Sequence, residues 1–193
     1  KTATKIMIGA DYNIELKQIP YTGVKVSQFS FNRLANADNR LGVEMLSTGE
    51  VACFGENYQE AYLKGLSATG FKIKNKCNVL LSIGSNEDKE ELLPSIKLLS
   101  NNGFTLFGTE GTAEYYENQG LEIKSVENNS IYEKIKEGLF SLVINISISN
   151  KIRNNKEKTR GYFIRRLSID YGIDVIINTK CAKLYAESIV NFY

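Results

Sequence analysis

Predicted strands and helices alternate from Asn78 to the end of the chain, and this alternation constrains the fold more than any other feature. Short apolar runs predict five strands, at 78–83, 104–108, 122–126, 142–148 and 174–177. Helical spacing or capping signals follow each run. Such an alternation favours parallel strands joined by right-handed crossover helices. We therefore expect an α/β fold with a doubly wound, mainly parallel sheet of about five strands.

Residues 1–76 have a different pattern. Alternating segments at 24–31 and 50–55 predict two strands, separated by a turn-rich stretch at 36–39, and a helix is predicted at 56–66. These pieces do not close a domain by themselves. We expect 1–76 to be the α+β tail of a preceding domain with its junction, and 77–193 to be the α/β domain. Because residue 1 is Lys, we expect the chain to be part of a longer protein.

Composition excludes several functions. The chain has no histidine, which rules out His-ligated metals, Ser-His-Asp triads and Cys-His dyads within it. Its three cysteines lack the CxxC spacing of zinc sites and are expected to be free thiols. The net charge of +2 argues against nucleic-acid binding, and no apolar run reaches the ~18 residues of a membrane span. We expect no catalytic set, no metal site, no nucleic acid and no membrane.

Small polar residues follow the predicted strands. Ligands of open parallel sheets bind beyond the carboxyl ends of the strands, so these residues predict a site for a small polar ligand. The set comprises Ser82, Ser85, Asn86, Thr109, Gly111, Thr112, Asn145, Ser147, Asn178 and Thr179.

The segment 109–112 (TEGT) is the sharpest local feature. A strand leads into it and a helix leaves it, so free backbone N–H groups and the positive end of the helix dipole meet there. Gly111 would allow a close backbone approach, Thr109 would stand at the strand end, and Thr112 would open and cap the helix. Lys89 would add a positive charge. The segment suits a phosphate or carboxylate, although a simple turn with a threonine cap explains it equally well.

Two charged stretches have plainer interpretations. Arg165 and Arg166, with Lys158 and Arg160 nearby, are expected on a solvated helix face, with Arg166 paired to the acid four residues later. The adjacent Ser168 lies on the apolar stripe and is not expected to be a kinase site. The acidic run at 87–91 falls in the first turn of a helix, where the dipole accounts for it without a metal.

Two blocks before the junction carry a family resemblance: residues 24–38 (VKVSQFSFNRLANAD) and 41–55 (LGVEMLSTGEVACFG). They closely resemble the end of the second ATP-grasp half of carbamoyl phosphate synthetase. Residues 78–193 resemble the carboxy-terminal regulatory domain of the same enzyme, which has a methylglyoxal-synthase-like fold. The resemblance covers essentially the whole chain.

This resemblance implies an effector site at the predicted strand ends. In the family, two threonines of a T-x-G-T loop hold the phosphate or carboxylate of the effector, and they match Thr109 and Thr112. Lys89 matches a lysine that helps in some members. Asn145 and Ser147 match an asparagine and a hydroxyl residue at the next strand end.

The resemblance also implies a parent enzyme that makes carbamoyl phosphate from bicarbonate, glutamine or ammonia, and ATP. Its nucleotide loops, its magnesium or manganese ligands and its glutaminase would lie upstream, so no cofactor is expected in this chain. The implied partners are the rest of the synthetase, a glutaminase domain or subunit, and a small anionic effector. A cytoplasmic location is expected, with the mitochondrial matrix as the alternative. Methylglyoxal synthase itself shares the fold, but its catalytic acid–base pair includes a histidine, so we do not expect that activity in this chain, which has none.

The effector class stays open between two kinds. Pyrimidine-pathway enzymes respond to uridine nucleotides and phosphoribosyl pyrophosphate, whereas urea-cycle enzymes respond to N-acetylglutamate. Ser147 and residues 159–162 (TRGY) favour the nucleotide-regulated form. Asn128 stands where a lysine or tryptophan follows the third strand in many members. This departure leaves a further alternative, a degenerate domain that serves only in assembly.

Overall fold

The computed structural model describes residues 2–10, 18–42, 44–147 and 159–192. Its first part contains a short helix α1 (Thr2–Met7), an antiparallel pair of strands, β1 (Thr22–Gln28) and β2 (Gly49–Gly55), and helix α2 (Tyr58–Ala68). A single 3₁₀ turn, Phe31–Arg33, follows β1. The predicted first strand therefore stops before Phe31, because its pairing ends where Gln28 faces Gly49.

A five-stranded parallel sheet organises the second part. Its strands lie in the order β5-β4-β3-β6-β7, and every pairing between neighbours is parallel. The sheet confirms the predicted α/β class and strand number. The strands are β3 (Asn78–Ile83), β4 (Thr105–Thr109), β5 (Lys124–Val126), β6 (Leu142–Ile146) and β7 (Asp174–Ile176).

A helix follows each strand of this sheet, as the alternation predicts. The helices are α3 (Asn86–Asn101), α4 (Glu110–Glu117), α5 (Ile131–Lys136), α6 (Arg160–Asp170) and α7 (Thr179–Phe192). Within the described ranges, none of the helices is long and apolar enough to cross a membrane.

The two faces of the sheet bury separate apolar clusters. In the central strand β3, Val79, Leu81 and Ile83 pack on one side with residues of α3, α4 and α7. Leu80 packs on the other side with residues of α5 and α6. Both faces are therefore covered by helices, which is the doubly wound arrangement.

Local signals placed some helix starts wrongly. The sequence predicts a helix over 89–102, but α3 begins at Asn86, three residues earlier, because the Ser85 hydroxyl accepts a hydrogen bond from Asp88 N–H at 3.0 Å. The sequence predicts Pro94 either in the first turn of this helix or at a kink, and Pro94 lies inside α3, beyond its first turn. The spacing of Ser130 and Glu133 predicts a capping box, and Ser130 does precede α5 as its N-cap residue, but its hydroxyl donates to the Glu127 carbonyl and makes no cap bond. The polar, Asn- and Lys-rich composition of residues 149–158 predicts a surface loop, which lies outside the described residues.

Candidate functional site at the carboxyl edge of the sheet

The carboxyl ends of β3, β4 and β6 meet at one edge of the sheet. Ile83 pairs with Ile146, and the N–H of Gly84 donates to the Ile146 carbonyl at 2.9 Å. Thr109 ends β4 on the other side of β3. The predicted residues of the 109–112 turn and of the β6 end therefore lie at the same edge, on the two strands that flank β3, as expected for a parallel sheet.

The two threonines of the turn have different surroundings from those predicted. Helix α4 begins at Glu110, so Thr112 lies within its first turn and does not open it. The Thr112 hydroxyl is buried, accepts a hydrogen bond from Ile83 N–H at 3.1 Å, and lies 3.3 Å from the Ile83 carbonyl. The half-buried Thr109 donates to Thr112 at 3.0 Å and makes no cap bond. Thr112 thus joins α4 to β3, and Thr109 is the more accessible of the two.

Two glycines set the backbone of this turn. A Cβ at Gly108 would lie 2.9 Å from Ala113 N and 3.0 Å from its Cα, so β4 and α4 are in direct backbone contact there. A Cβ at Gly111 would meet no atom within 4 Å. Packing within the chain therefore requires glycine at 108 but not at 111, where the Cβ position faces open space.

Lys89 supplies the buried positive charge of the site. Its side chain rises from α3, is 8% exposed, and lies over the Tyr115 ring at 5.5 Å from the centroid. The ammonium donates to the Gly111 carbonyl at 2.8 Å and to the Asn86 side chain at 3.3 Å. Lys89 therefore orients the turn while it places a charge at the helix N-terminus.

Arg165 of α6 brings Asn145 and Ser147 together at the end of β6. Its Nη1 donates to Asn145 Oδ1 at 2.8 Å and to Ser147 Oγ at 2.6 Å. Its Nε and Nη2 bind the carboxylate of Asp38 at 2.8 to 3.0 Å. Burial lowers the pKa of Arg165, and the Asp38 carboxylate opposes that effect by stabilising the charged form.

The same face of α6 holds residues 31–38, which we call the anchored segment. The Tyr162 hydroxyl donates to the Asn36 carbonyl at 2.8 Å. Arg166 donates to the carbonyls of residues 31, 34 and 37 at 3.0 to 3.2 Å and also pairs with Asp170. The Arg166–Asp170 pair is as predicted, but the predicted solvated face is wrong, because Arg165 and Arg166 are only 1% and 6% exposed.

Asn128 forms a surface bridge beside the turn. Its backbone and side-chain N–H groups donate to the carboxylate of Glu110, and its side-chain oxygen accepts from Arg160. The residue thus connects the first residues of α4 and α6. Lys158 of the predicted basic cluster lies outside the described residues.

Other rim residues satisfy one another. Asp88 accepts hydrogen bonds from the Ser85 hydroxyl at 2.6 Å and from the Thr179 hydroxyl at 3.1 Å. These bonds connect the starts of α3 and α7. Among the described residues, no group of His, Cys, Asp or Glu is arranged to hold a metal ion. The buried Ser168 hydroxyl donates to the Ile164 carbonyl, so it is inaccessible as expected.

Sequence reasoning missed Asp38 and the role of Arg165. Asp38 was assigned only to a turn, and its partner lies 127 positions later. The available signal was helical spacing, because Tyr162, Arg165 and Arg166 share one face of α6 at i, i+3 and i+4. A face with two arginines beside an aromatic residue is suited to binding carbonyls and a carboxylate.

The chain matches one protein-family model and has a likeness to one solved structure that we describe. Residues 91–177 match the model of the MGS-like domain. The chain also has a likeness to the crystal structure of methylglyoxal synthase from Elizabethkingia anophelis NUHP1, with a TM-score of 0.46 and 15% identity, over 58% of this chain and 78% of that chain.

The relatives at the level of sequence match nearly the whole chain. It is 48% identical over 196 residues to Multifunctional protein pyr1-3 of Dictyostelium discoideum, an alignment that covers 97% of this chain and 9% of that protein. It is 44% identical over 206 residues to Multifunctional protein CAD of Squalus acanthias, with the same coverages. To human Carbamoyl-phosphate synthase [ammonia], mitochondrial, it is 36% identical over 207 residues, covering 97% of this chain and 13% of that protein.

The chain spans about a tenth of the length of the relatives it matches. Within that span the similarity runs across both parts of the chain, including residues that precede the MGS-like match. The chain is therefore similar over residues 91–177 to the MGS-like domain and, along nearly its whole length, to proteins that include carbamoyl-phosphate synthases.

Proposed function

We propose that this chain is the regulatory region of a carbamoyl phosphate synthetase and that residues 77–193 bind a small anionic effector at the carboxyl edge of the sheet. One observation carries the proposal. The N-terminus of α4, the half-buried Thr109 hydroxyl and the buried Lys89 ammonium lie at the same sheet edge as Asn145 near the end of β6 and Ser147 just after it. Backbone N–H groups and a buried cation favour a phosphate or carboxylate.

The electrostatics of the edge support an anionic ligand. Lys89 and Arg165 are two buried cations. Asp38 balances the charge of Arg165, whereas Lys89 makes no ion pair with a described residue, so Lys89 is the cation that is available to an anion. The acidic residue in the first turn of α4 is the exposed Glu110, and two hydrogen bonds from Asn128 hold its carboxylate.

The proposed parent enzyme acts in pyrimidine synthesis. The chain is 42–48% identical to the multifunctional proteins and 36–37% identical to the mitochondrial ammonia-dependent synthases. We accordingly propose a uridine nucleotide or phosphoribosyl pyrophosphate as effector, with N-acetylglutamate as the alternative. Residues 1–76 would be the end of an ATP-grasp half, and the parts of the parent enzyme that bind ATP, metal ions and the glutaminase would lie outside this chain. We propose that the parent enzyme is located in the cytoplasm or, alternatively, in the mitochondrial matrix.

A thermal-shift series tests this proposal. Uridine monophosphate, phosphoribosyl pyrophosphate, N-acetylglutamate and inorganic phosphate are each added to the chain. A ligand at 100 times its Kd stabilises by about 2.7 kcal/mol. We expect stabilisation by at least one of the three effectors, reduced by Thr109→Val. Thr105→Val is the matched control, because it makes the same change at the other end of β4.

Two results would contradict the proposal, the first against effector binding itself and the second against the proposed site. If none of the effectors stabilises the chain, the assembly-only alternative is favoured, and the Glu110–Asn128–Arg160 bridge would then close the edge structurally. If Thr109→Val and Thr105→Val reduce stabilisation equally, the ligand binds away from the turn.

A further inference from the structure

The guanidinium of Arg165 has no donor left for a ligand. Arginine carries five N–H donors. Asp38 accepts three hydrogen bonds, from Nε and Nη2, while Asn145 Oδ1 and Ser147 Oγ accept the two from Nη1. Arg165 is also only 1% exposed. Direct contact with an effector would require breaking one of these bonds in the interior.

These bonds determine what Asn145 and Ser147 can offer a ligand. The Oδ1 atom of Asn145 faces Arg165, so the part of this side chain that can face a ligand is its NH₂ donor group. The Oγ atom of Ser147 accepts from Nη1, so its own proton points away from Arg165. Both side chains are thereby fixed as donors, which is the orientation an anion needs, and a charged donor behind each one strengthens the outward hydrogen bond.

We propose that Arg165 is a positioning residue: it sets Asn145 and Ser147 as anion donors and couples them, through Asp38, to the anchored segment of residues 31–38. The inference rests on the proposed function of the edge as an effector site. The coupling runs between the two parts of the chain, because Asp38 lies in the first part and Asn145 and Ser147 lie in the second.

Two consequences follow from thermodynamic linkage. If the Asp38–Arg165 contact raises the affinity of Asn145 and Ser147 for an anion by some factor, then a bound anion must favour formation of the Asp38–Arg165 contact by the same factor. Loss of the Asp38 charge should weaken anion binding, and bound anion should slow amide exchange in the anchored segment. The neighbouring Arg166 binds the same segment but touches neither donor.

The experiment uses the full chain with Asp38→Asn, which keeps the side-chain shape and removes the charge. Asp170→Asn is the matched control, because it makes the same change in an ion pair of the next arginine on α6. Affinity for uridine monophosphate, phosphoribosyl pyrophosphate and inorganic phosphate is measured by calorimetry. Hydrogen exchange of residues 31–38 is measured with and without each anion, in the parent and in Arg165→Lys.

We expect Asp38→Asn to weaken binding about fivefold or more, the lower end of couplings between protein sites, while Asp170→Asn stays within roughly twofold. Bound anion should slow exchange of the anchored segment in the parent and much less in Arg165→Lys. Equal affinities for the two asparagine variants would overturn the inference. Tighter binding by Asp38→Asn would also overturn it, because the guanidinium itself would then be the ligand contact.

A ligand-free arm separates the inference from the proposed function. If no anion binds the parent, the proposed function fails, and Ser147→Ala then tests the connection alone. Faster exchange of residues 31–38 in Ser147→Ala than in the parent would show that the β6 end and the anchored segment are coupled through Arg165. Unchanged exchange would overturn the coupling itself.

Discussion

The Thr112 hydroxyl accepts a hydrogen bond from the backbone N–H of Ile83, 29 positions earlier, at 3.1 Å. This bond joins the first turn of α4 to the last residue of β3, next to the point where β3 pairs with β6. The same oxygen accepts from Thr109. Thr112 therefore maintains the geometry of the edge, and its hydroxyl is occupied by the chain itself.

We expect Thr112→Val to lower the free energy of unfolding by about 1–3 kcal/mol, because the buried N–H of Ile83 loses its acceptor. Thr109→Val should cost less, since its half-buried hydroxyl makes no cap bond. Thr112→Ser keeps the hydroxyl and serves as control. Urea unfolding of the three variants measures the differences. Equal losses for both valine variants would contradict this assignment.

Gly108 and Gly111 should respond oppositely to alanine. Gly108→Ala puts a Cβ against the backbone of Ala113 and should destabilise the chain by about 1–3 kcal/mol. Gly111→Ala meets open space in a helical turn and should leave stability unchanged or raise it by up to ~1 kcal/mol. If the ligand approaches the turn backbone, Gly111→Ala weakens anion binding. Thermal unfolding and calorimetry of both variants check this pair.

Lys89→Met should weaken anion binding at both low and high salt. Methionine keeps the packing over Tyr115 but removes the charge and the donor to the Gly111 carbonyl. A buried charge is screened far less than an exposed one, so the ratio of parent to variant affinity should change little with salt. Calorimetric titrations at two salt concentrations measure this ratio. A loss that disappears at high salt would place the charge in solvent.

Asp174 should make stability depend on pH. Burial raises its pKa above the ordinary value, and the N–H of Lys72, which donates to it at 2.7 Å, opposes the rise. The folded chain then binds this proton more tightly than the unfolded chain does. The contribution is complete below the ordinary pKa of about 4 and is lost as pH rises through the raised pKa.

Asp174→Asn removes that titration while it keeps an acceptor for Lys72. We expect its stability to vary less with pH just above pH 4 and to exceed that of the parent at neutral pH. Urea unfolding of both proteins across this range measures the effect. Parallel curves for parent and variant would show that Asp174 does not titrate differently in the folded chain.

Local pattern was sufficient to predict the sheet and its edge. Val79, Leu80 and Leu81 form an apolar run without gaps, which is the signature of a strand covered on both faces. Since parallel strands end at one edge, Thr109 and Asn145 could be placed on the same edge from the sequence alone. Effector binding at these residues stays a prediction.

Long-range polar contacts could not be predicted in the same way. Whether Arg165 is buried depends on Asp38, and no local spacing relates two residues 127 positions apart. The cap of α3 was missed for a different reason. Ser85 and Ser130 each precede an acidic residue by three positions. Only the backbone conformation decides which serine hydroxyl accepts a hydrogen bond from the N–H of that acidic residue.

The apolar cluster on one face of the sheet also crosses the boundary between 76 and 77. Tyr62 and Leu66 of α2 share it with Tyr185 and Ile189 of α7. The junction is tied down as well, because Lys72 binds Asp174 and the Gly172 carbonyl. Separation of α2 from α7 would expose this apolar surface to water. The boundary that the sequence pattern predicts is therefore not expected to act as a hinge. A displacement of the sheet would move α2 and the β1–β2 pair with it.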